Sequence, residues 1–350
     1  MTRHGSHAYG TNLPTSDIDI RGIFIAPKVY YLGCSKQVEQ IEQKELDFCI
    51  FELRKFLKLA SQCNPNALEL IFTEPEDHLL TTPLSKILLD HRDLFLTRRV
   101  KYTFSGYAHA QMKRILTHRS WLLNPVEVMP KRRDFGLPER TVIPADQIMA
   151  AKALITKQVD GWTWHLLDDV TPDLRLAIQE EFTRRLLEVT SWSEPQASDE
   201  IWLSAGRSLG FDDNFLQIMD KERRYYSKLR NFQQYQEWKK SRNPARAEIE
   251  AKYGFDCKHA MHLVRLTRSC LETLQTGSLK VRRKDAEELL AIRNGAWTFD
   301  QLTSWFNARE KEIEEAEKVS TLPKSPDLKK IDDLCMALVE QSFMPGWKEG

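Results

Sequence analysis

The chain has 350 residues and sets 51 lysines and arginines against 50 aspartates and glutamates, a net charge of +1, with 41% hydrophobic and 29% charged residues. That describes a globular protein long enough for two domains, and it excludes a uniformly basic nucleic-acid coat. No run approaches the ~20 apolar residues of a membrane span, so no membrane partner is expected.

The first informative stretch is Gly5–Gly22, GSHAYGTNLPTSDIDIRG, with a Gly-Ser turn followed by an Asp-x-Asp pair, Asp17 and Asp19. Continuing through Gly22–Ala26 and closed by Pro27, this segment reads as a strand. A strand would point Asp17 and Asp19 to one face and turn Ile18 and Ile20 into the core. Glu45–Phe51 alternates around Leu46, Phe48 and Ile50 and reads as a second strand. Glu52–Ala60 follows as an amphipathic helix with Leu53, Phe56, Leu57 and Ala60 on one face. Asn64-Pro65-Asn66 starts a short helix over Ala67–Phe72, and Pro75–Pro83 is a loop.

From Thr97 onward the apolar spacing is helical over Lys101–Leu116, Ile148–Leu167, Pro172–Thr190, Phe215–Leu229 and Gln236–Tyr253. It continues over Ala260–Gln275, Asp285–Arg293, Phe299–Lys318 and Asp327–Phe343, with Pro125–Pro144 as the main irregular stretch. The predicted class is α+β: a small mixed-sheet core over residues 1–96, then a large helical region over residues 97–350. Met1–Ser6 lacks the apolar core of a secretory signal. The six cysteines show no C-x-x-C pair, so a cytoplasmic protein with free thiols is expected.

Two carboxylates in parallel are what a hard cation such as Mg²⁺ needs. A Gly-Ser turn upstream offers N–H groups and a hydroxyl for phosphate oxygens. Taken alone, the Asp pair also reads as a polar turn leading into an edge strand. The context is more specific. Gly5-Ser6, Tyr9-Gly10, Ser16-Asp17, Asp19 and Arg21-Gly22 match in order and spacing the signature of nucleotidyltransferases of the DNA polymerase beta superfamily. Within it, the chain resembles the RNA-repair-pathway polymerase-beta-like family, and Phe104–Leu123, Lys258–Leu266 and Gly277–Gly295 extend the likeness.

The resemblance implies a metal-dependent transfer of NMP or dNMP from a nucleoside triphosphate to a hydroxyl. The expected cofactor is a pair of Mg²⁺ ions, with Mn²⁺ as a substitute. Asp17 and Asp19 would be metal ligands and catalytic. Among Glu45, Asp47 and Glu52, Asp47 is the expected third carboxylate, because the strand turns it away from the core and it matches the superfamily's position; Glu45 shares its face. Gly5 and Ser6 would hold the β- and γ-phosphates. Arg21 reads either as a phosphate or carboxylate grip or as a structural ion pair with Asp17 or Asp47.

A second constellation lies on the Phe104–Leu123 segment. Gln111, Arg114 and His118 fall on one helical face, and the likeness implies phosphate binding by Lys113, Arg114 and Arg119; a solvated basic face is the plainer reading. His262 and Arg265 sit on an apolar helix, where burial implies a partner, Asp256 or a domain-interface carboxylate. Lys280–Lys284 reads chiefly as a solvated turn, with nucleic-acid contact as the alternative. The expected acceptor is a nucleic-acid 3′ end, in RNA repair or template-independent synthesis. The alternatives are nucleotidylation of a protein hydroxyl in a toxin–antitoxin or phage-defence module, and a non-catalytic nucleotide-binding protein. Only Met1–His4 precede the Gly-Ser turn, so the fold's first strand is either very short, supplied by chain upstream, or completed by a partner.

Overall fold

The structure is a computed structural model that describes residues 1–34, 37–141, 143–164 and 203–344. A small mixed sheet lies within residues 2–52, and the rest is mostly helical. The sheet strands are β1 (Thr2–His4), β2 (Asp19–Phe24), β3 (Gln40–Gln43) and β4 (Phe48–Glu52), in the order β1-β2-β4-β3. β1 pairs antiparallel with β2, β2 parallel with β4, and β3 antiparallel with β4. Residues 2–4 thus form the short first strand. Between β1 and β2 runs a single helical turn, α1 (Gly5–Tyr9), and α2 (Val29–Leu32) precedes β3.

Two strand assignments differ from the sequence reading. β2 begins at Asp19, so Asp17 and Ile18 stand in the preceding loop, and Ile18 is 53% exposed instead of core. Ile20 is only half-buried. Likewise β4 begins at Phe48. Residues 44–46 form a 3-10 turn, Leu46 is 61% exposed, and Asp47 is a turn residue with a φ of 46°. Residues 44–47 are the four-residue loop of the β3–β4 hairpin, and aspartate is one of the few side chains that tolerates a left-handed closing position. Alternation of Leu46, Phe48 and Ile50 imitated a longer strand because a tight turn can preserve that period for one residue.

α3 (Leu53–Ser61) has Glu52 as N-cap, its carboxylate accepting from the Arg54 N–H at 3.0 Å. Its apolar face of Leu53, Phe56, Leu57 and Ala60 is buried as expected. α4 (Pro65–Ile71) is capped by Asn64 with proline in its first turn, and α5 (Pro83–Asp90) follows. Chain contacts divide the protein into two compact units, residues 1–125 with 243–350, and residues 126–242. These units cut across the 1–96 and 97–350 division.

In the first unit, α6 (Val100–Leu123) lies against a helix that is buried nearly all round, Cys257–Thr276. In the second unit, α7 (Ala145–Trp164) and α8 (Asp213–Ser241) enclose small clusters around Ile143, Ala151 and Met219 and around Ile155, Ala205 and Leu216. The expected helix over 236–253 is broken. α8 stops at Ser241, and α9 (Pro244–Tyr253) restarts with Asn243 as N-cap and Pro244 in its first turn. The Cys257–Thr276 helix is α10, followed by α11 (Ala286–Arg293), α12 (Phe299–Val319) and α13 (Leu328–Ser342). The expected helix over 172–190 lies outside the described residues. Cys63, Cys257 and Cys270 are buried free thiols. No described helix is long and apolar enough to cross a membrane.

One buried charge pair ties the sheet half of the first unit to α10. Glu69 on α4 is 1% exposed and pairs with the guanidinium of Arg265, itself 5% exposed. Tyr9 at the end of α1 donates to Glu69 Oε2 at 2.6 Å, and the Arg265 guanidinium carbon lies 3.7 Å from the centre of the Tyr9 ring. Glu69, therefore, is the acidic partner that burial of Arg265 required, in place of Asp256. Removing one member leaves the other charge buried and unpaired. Arg265→Met should cost about 3–5 kcal/mol of stability, and adding Glu69→Gln should restore part of it. Thermal or urea unfolding of the single and double variants checks this; an Arg265→Met protein as stable as the parent contradicts it.

Candidate active site

The β1–β2 register opposes His4 to Asp19, which sets Gly5 directly against the Asp19 side chain. Gly5 has a φ of 61°, and a Cβ built on it would stand 2.0 Å from Asp19 Oδ2. Only glycine both adopts this backbone freely and leaves room for the carboxylate. α1 then closes at Gly10, whose N–H reaches the His7 carbonyl, while the Thr11 N–H donates to the Ser6 carbonyl at 2.9 Å. Ser6 is half-buried in this turn. The loop back to β2 is braced by the Leu13 N–H donating to Ser16 Oγ at 2.8 Å.

Asp17 is exposed at the end of that loop, and Asp19 is half-buried at the first position of β2. Ile20 opposes Phe48 in the parallel β2–β4 pair, so one step back sets Asp19 beside Asp47. The Ile20 N–H donates to the Asp47 carbonyl at 3.0 Å. Arg21 fastens the same corner: one terminal nitrogen donates to the Asp47 carbonyl, and the other lies 3.5 Å from Asp19 Oδ1. The ion pair of Arg21 is with Asp19, then, instead of with Asp17 or the Asp47 carboxylate. Asp47 itself is exposed, as is Glu45, whereas Glu52 is buried and bonded to Tyr31 and Arg54. Asp17 in a loop, Asp19 at a strand start and Asp47 in a hairpin turn carry the oxygen donors Mg²⁺ takes, but their oxygens are not among the described ligand groups that lie within 4.8 Å of one another.

A cavity of about 760 Å³ opens beside Tyr9, walled by α6 and α10 and including Tyr107, Arg114, Lys258 and His262. Burial and the neighbouring cations Arg246 and Arg293 hold the Lys258 ammonium below its usual range, while Asp256 and Asp19 act the other way. Lys258 thus feels the Asp19 carboxylate. Of the expected basic residues, Arg114 lines this cavity; Lys113 is exposed and is not among the lining residues. Arg119 donates to the Gly254 carbonyl at 2.8 Å and covers the Phe299 ring, so it holds the end of α9. Gln111 shares the cavity with Arg114, while His118 turns to Asp256. Trp121 is buried. Arg282 and Arg283 of the Lys280–Lys284 run are committed to Asp77, Glu272 and Asp285.

Sequence reasoning missed Lys258 and the cations near it. The available signal was a lysine two residues past the N-cap Asp256, one turn before His262 on the same helix.

At the cavity wall, where His259 is part of the lining, His118 Nδ1 lies 3.2 Å and His259 Nε2 3.5 Å from Asp256 Oδ2, and the three ligand atoms lie within 4.8 Å of one another. The spacing would suit a metal ion. However, Arg246 already occupies the same carboxylate oxygen, and Arg114 and Arg246 add positive charge around it. The cluster is better described as a hydrogen-bonded neutralising network. Hydrogen bonding from His118 and the nearby His259 and Arg246 outweighs burial and holds the Asp256 carboxyl well below the usual range.

Against this geometry the comparisons are specific. Residues 1–125 match the family model described as the RNA repair pathway DNA polymerase beta family. The match takes in Gly5–Gly22, Asp47 and α6, and points to a polymerase-beta-like nucleotidyltransferase. A protein of Enterobacteria phage T4, described as an uncharacterized 38.9 kDa protein in the nrdC-mobD intergenic region, is 24% identical over 336 residues. That alignment covers 91% of this chain and 88% of the phage protein. No solved structure matches.

Gly5→Ala forces a methyl group into the Asp19 carboxylate and strains a left-handed backbone, so it should lower stability by more than about 1 kcal/mol. Thermal unfolding checks it, and an unchanged midpoint would show that Asp19 has other room. Burial pushes His4 down, His259 to about 4 and His262 well below its ordinary 6.5. The folded state keeps these rings neutral while the unfolded chain protonates below about pH 6.5. Their contribution is complete above that pH and is lost as pH falls from about 6.5 toward 4. Unfolding midpoints across that range should drop, and less steeply in His262→Gln.

Proposed function

We propose, from the match of residues 1–125 to the RNA repair pathway DNA polymerase beta family, that the protein is a metal-dependent nucleotidyltransferase acting on a nucleic-acid 3′ end. The observation that carries this reading is Gly5 pressed onto the Asp19 carboxylate, with Asp47 brought alongside by the β2–β4 register. A chance Asp-x-Asp turn has no need of either feature.

In the proposed reaction the acceptor hydroxyl attacks the α-phosphate of an NTP or dNTP. A new P–O bond forms, the α–β bridging bond breaks, and pyrophosphate leaves in line. Asp17, Asp19 and Asp47 would hold Mg²⁺, or Mn²⁺ in its place, which neutralises charge on the α-phosphate and the leaving group. Arg21 keeps the Asp19 strand and the Asp47 turn in register. Gly5 and Ser6 offer the α1 turn to phosphate oxygens, and the carboxylates at this corner accept the hydroxyl proton. Residues 1–96 would carry the transfer chemistry, with the helices of residues 97–350 contributing cations. A cytoplasmic location, RNA as the acceptor and a part in RNA repair belong to the same proposal.

The test is incorporation of radiolabelled NTP or dNTP with Mg²⁺ or Mn²⁺, using RNA, DNA and no added acceptor. Asp17→Ala and Asp19→Ala should each lower incorporation by about 10²-fold or more while the protein stays folded. Full activity in Asp17→Ala sinks the two-metal centre. Label on a protein hydroxyl would replace the nucleic-acid acceptor by a protein one.

A further inference from the structure

The second unit carries a charge imbalance that its own packing does not use. From Lys221 to Arg242, along the C-terminal part of α8, the chain sets eight lysines and arginines against two glutamates. Glu222 is buried and taken by Arg132, which leaves Glu237 as the exposed acid of this stretch. Lys221, Arg224 and Lys228 are exposed at spacings of three and four, so they share one face of the helix. Arg224 reaches back to Asp220, whereas Lys221 and Lys228 form no ion pair among the described residues. The turn over residues 132–135 is docked against the same helix. Arg132 covers the Tyr225 ring at 5.4 Å, and Phe135 meets that ring edge-on at 5.8 Å. The Lys221 ammonium lies over Gly136, 3.9 Å from where a Cβ would stand. Lys131 and Arg133 of this turn are exposed, and Lys131 also has no ion pair among the described residues. Cations gathered without counter-charges attract a polyanion, which gains by releasing its own counterions.

We propose that this face of α8, with the adjoining turn, binds the phosphate backbone of a nucleic-acid strand. Its residues lie outside residues 1–125, which match the family, and the proposal stands whether or not the transfer reading holds. From Lys221 to Lys228 the helix rises about 10 Å, so the stripe can meet more than one phosphate of a strand laid along it. An anionic bilayer is the poorer partner, because an interfacial helix needs an apolar face to insert. Leu216, Met219 and Tyr235 of α8 are buried, and Tyr226 is its one large apolar side chain that is exposed. An acidic protein would also want an apolar centre to its interface, which this lysine stripe does not offer.

Fluorescence anisotropy of labelled single-stranded oligouridylate and oligothymidylate, with the full chain in EDTA so that no metal-dependent transfer occurs, tests this. Both probes should bind, because phosphate is what the face reads. Lys221→Glu and Lys228→Glu should each weaken binding by about fivefold or more, and the double variant should flatten the slope of log K against log salt by about 1.4. Arg230→Glu makes the same charge change about 160° round the helix and should weaken binding by less than about twofold. Asp19→Asn should bind as the parent does, so this surface and the transfer centre can fail separately. The proposal is overturned by absence of binding to the unmodified chain at low salt, or by an equal loss in Arg230→Glu and Lys228→Glu. Full affinity in the double variant, shown folded by circular dichroism, overturns it as well. Anionic vesicles that hold the chain against displacement by oligouridylate would assign the face to a membrane surface instead.

Discussion

The first unit turns on a single buried contact, the Glu69–Arg265 pair with Tyr9 packed between and against it. Each member belongs to a different element: Tyr9 closes α1, Glu69 sits on α4, and Arg265 is two turns into α10. A buried ion pair is rarely a large net source of stability, because both charges forgo water. Its value here is positional. The cation–π contact and the tyrosine hydroxyl satisfy groups that would otherwise be costly, and only one arrangement of the three elements does so. That arrangement fixes where Gly5 falls relative to β2, and hence where the Asp19 carboxylate stands.

The same helix that anchors the α1 turn presents the cavity. Lys258, His259 and His262 occupy the first two turns of α10, and Arg265 comes next on the same helix. Burial keeps His259 and His262 neutral, so the cavity's positive charge comes from arginine and lysine alone. The Asp256 network pulls Arg246 back toward the helix start and spends one more cation on structure. Among the described residues, Arg114 and Lys258 form no ion pair; Lys258 feels the Asp19 carboxylate, and both line this cavity. Long basic runs in the sequence contribute little to it, because most of their members cap helices or bind carboxylates.

Much of this was legible from the sequence, for reasons that are local. Within the eighteen residues of Gly5–Gly22, spacing conveys the turn and the strand carrying Asp19, but not that Asp17 falls in the loop before β2. The amphipathic face of α3 is equally local. Errors arose where one residue decides. Asp47 in a left-handed conformation ended a strand that hydrophobic alternation extended, and Asn243-Pro244 split a helix that apolar spacing joined. Glu69 was invisible as the partner of Arg265 because 196 residues separate them. Lys258 was not singled out for the same reason: Asp19, whose carboxylate it feels, lies far away in the sequence.

The exposed hairpin turn at Asp47 has a consequence for the order of events in the proposed reaction. Of the three carboxylates, only Asp19 is held by a strand and by a glycine beneath it; Asp17 ends a loop and Asp47 closes a turn, both open to water. Bringing exposed side chains into one coordination sphere costs conformational entropy. The protein alone therefore offers a divalent ion one fixed oxygen-bearing group and two that must be drawn in. A nucleotide arriving with its own phosphate oxygens would supply ligands the chain does not hold in place. Metal and nucleotide would then bind as one cooperative package, with the ion's retention set by the substrate more than by the apoprotein.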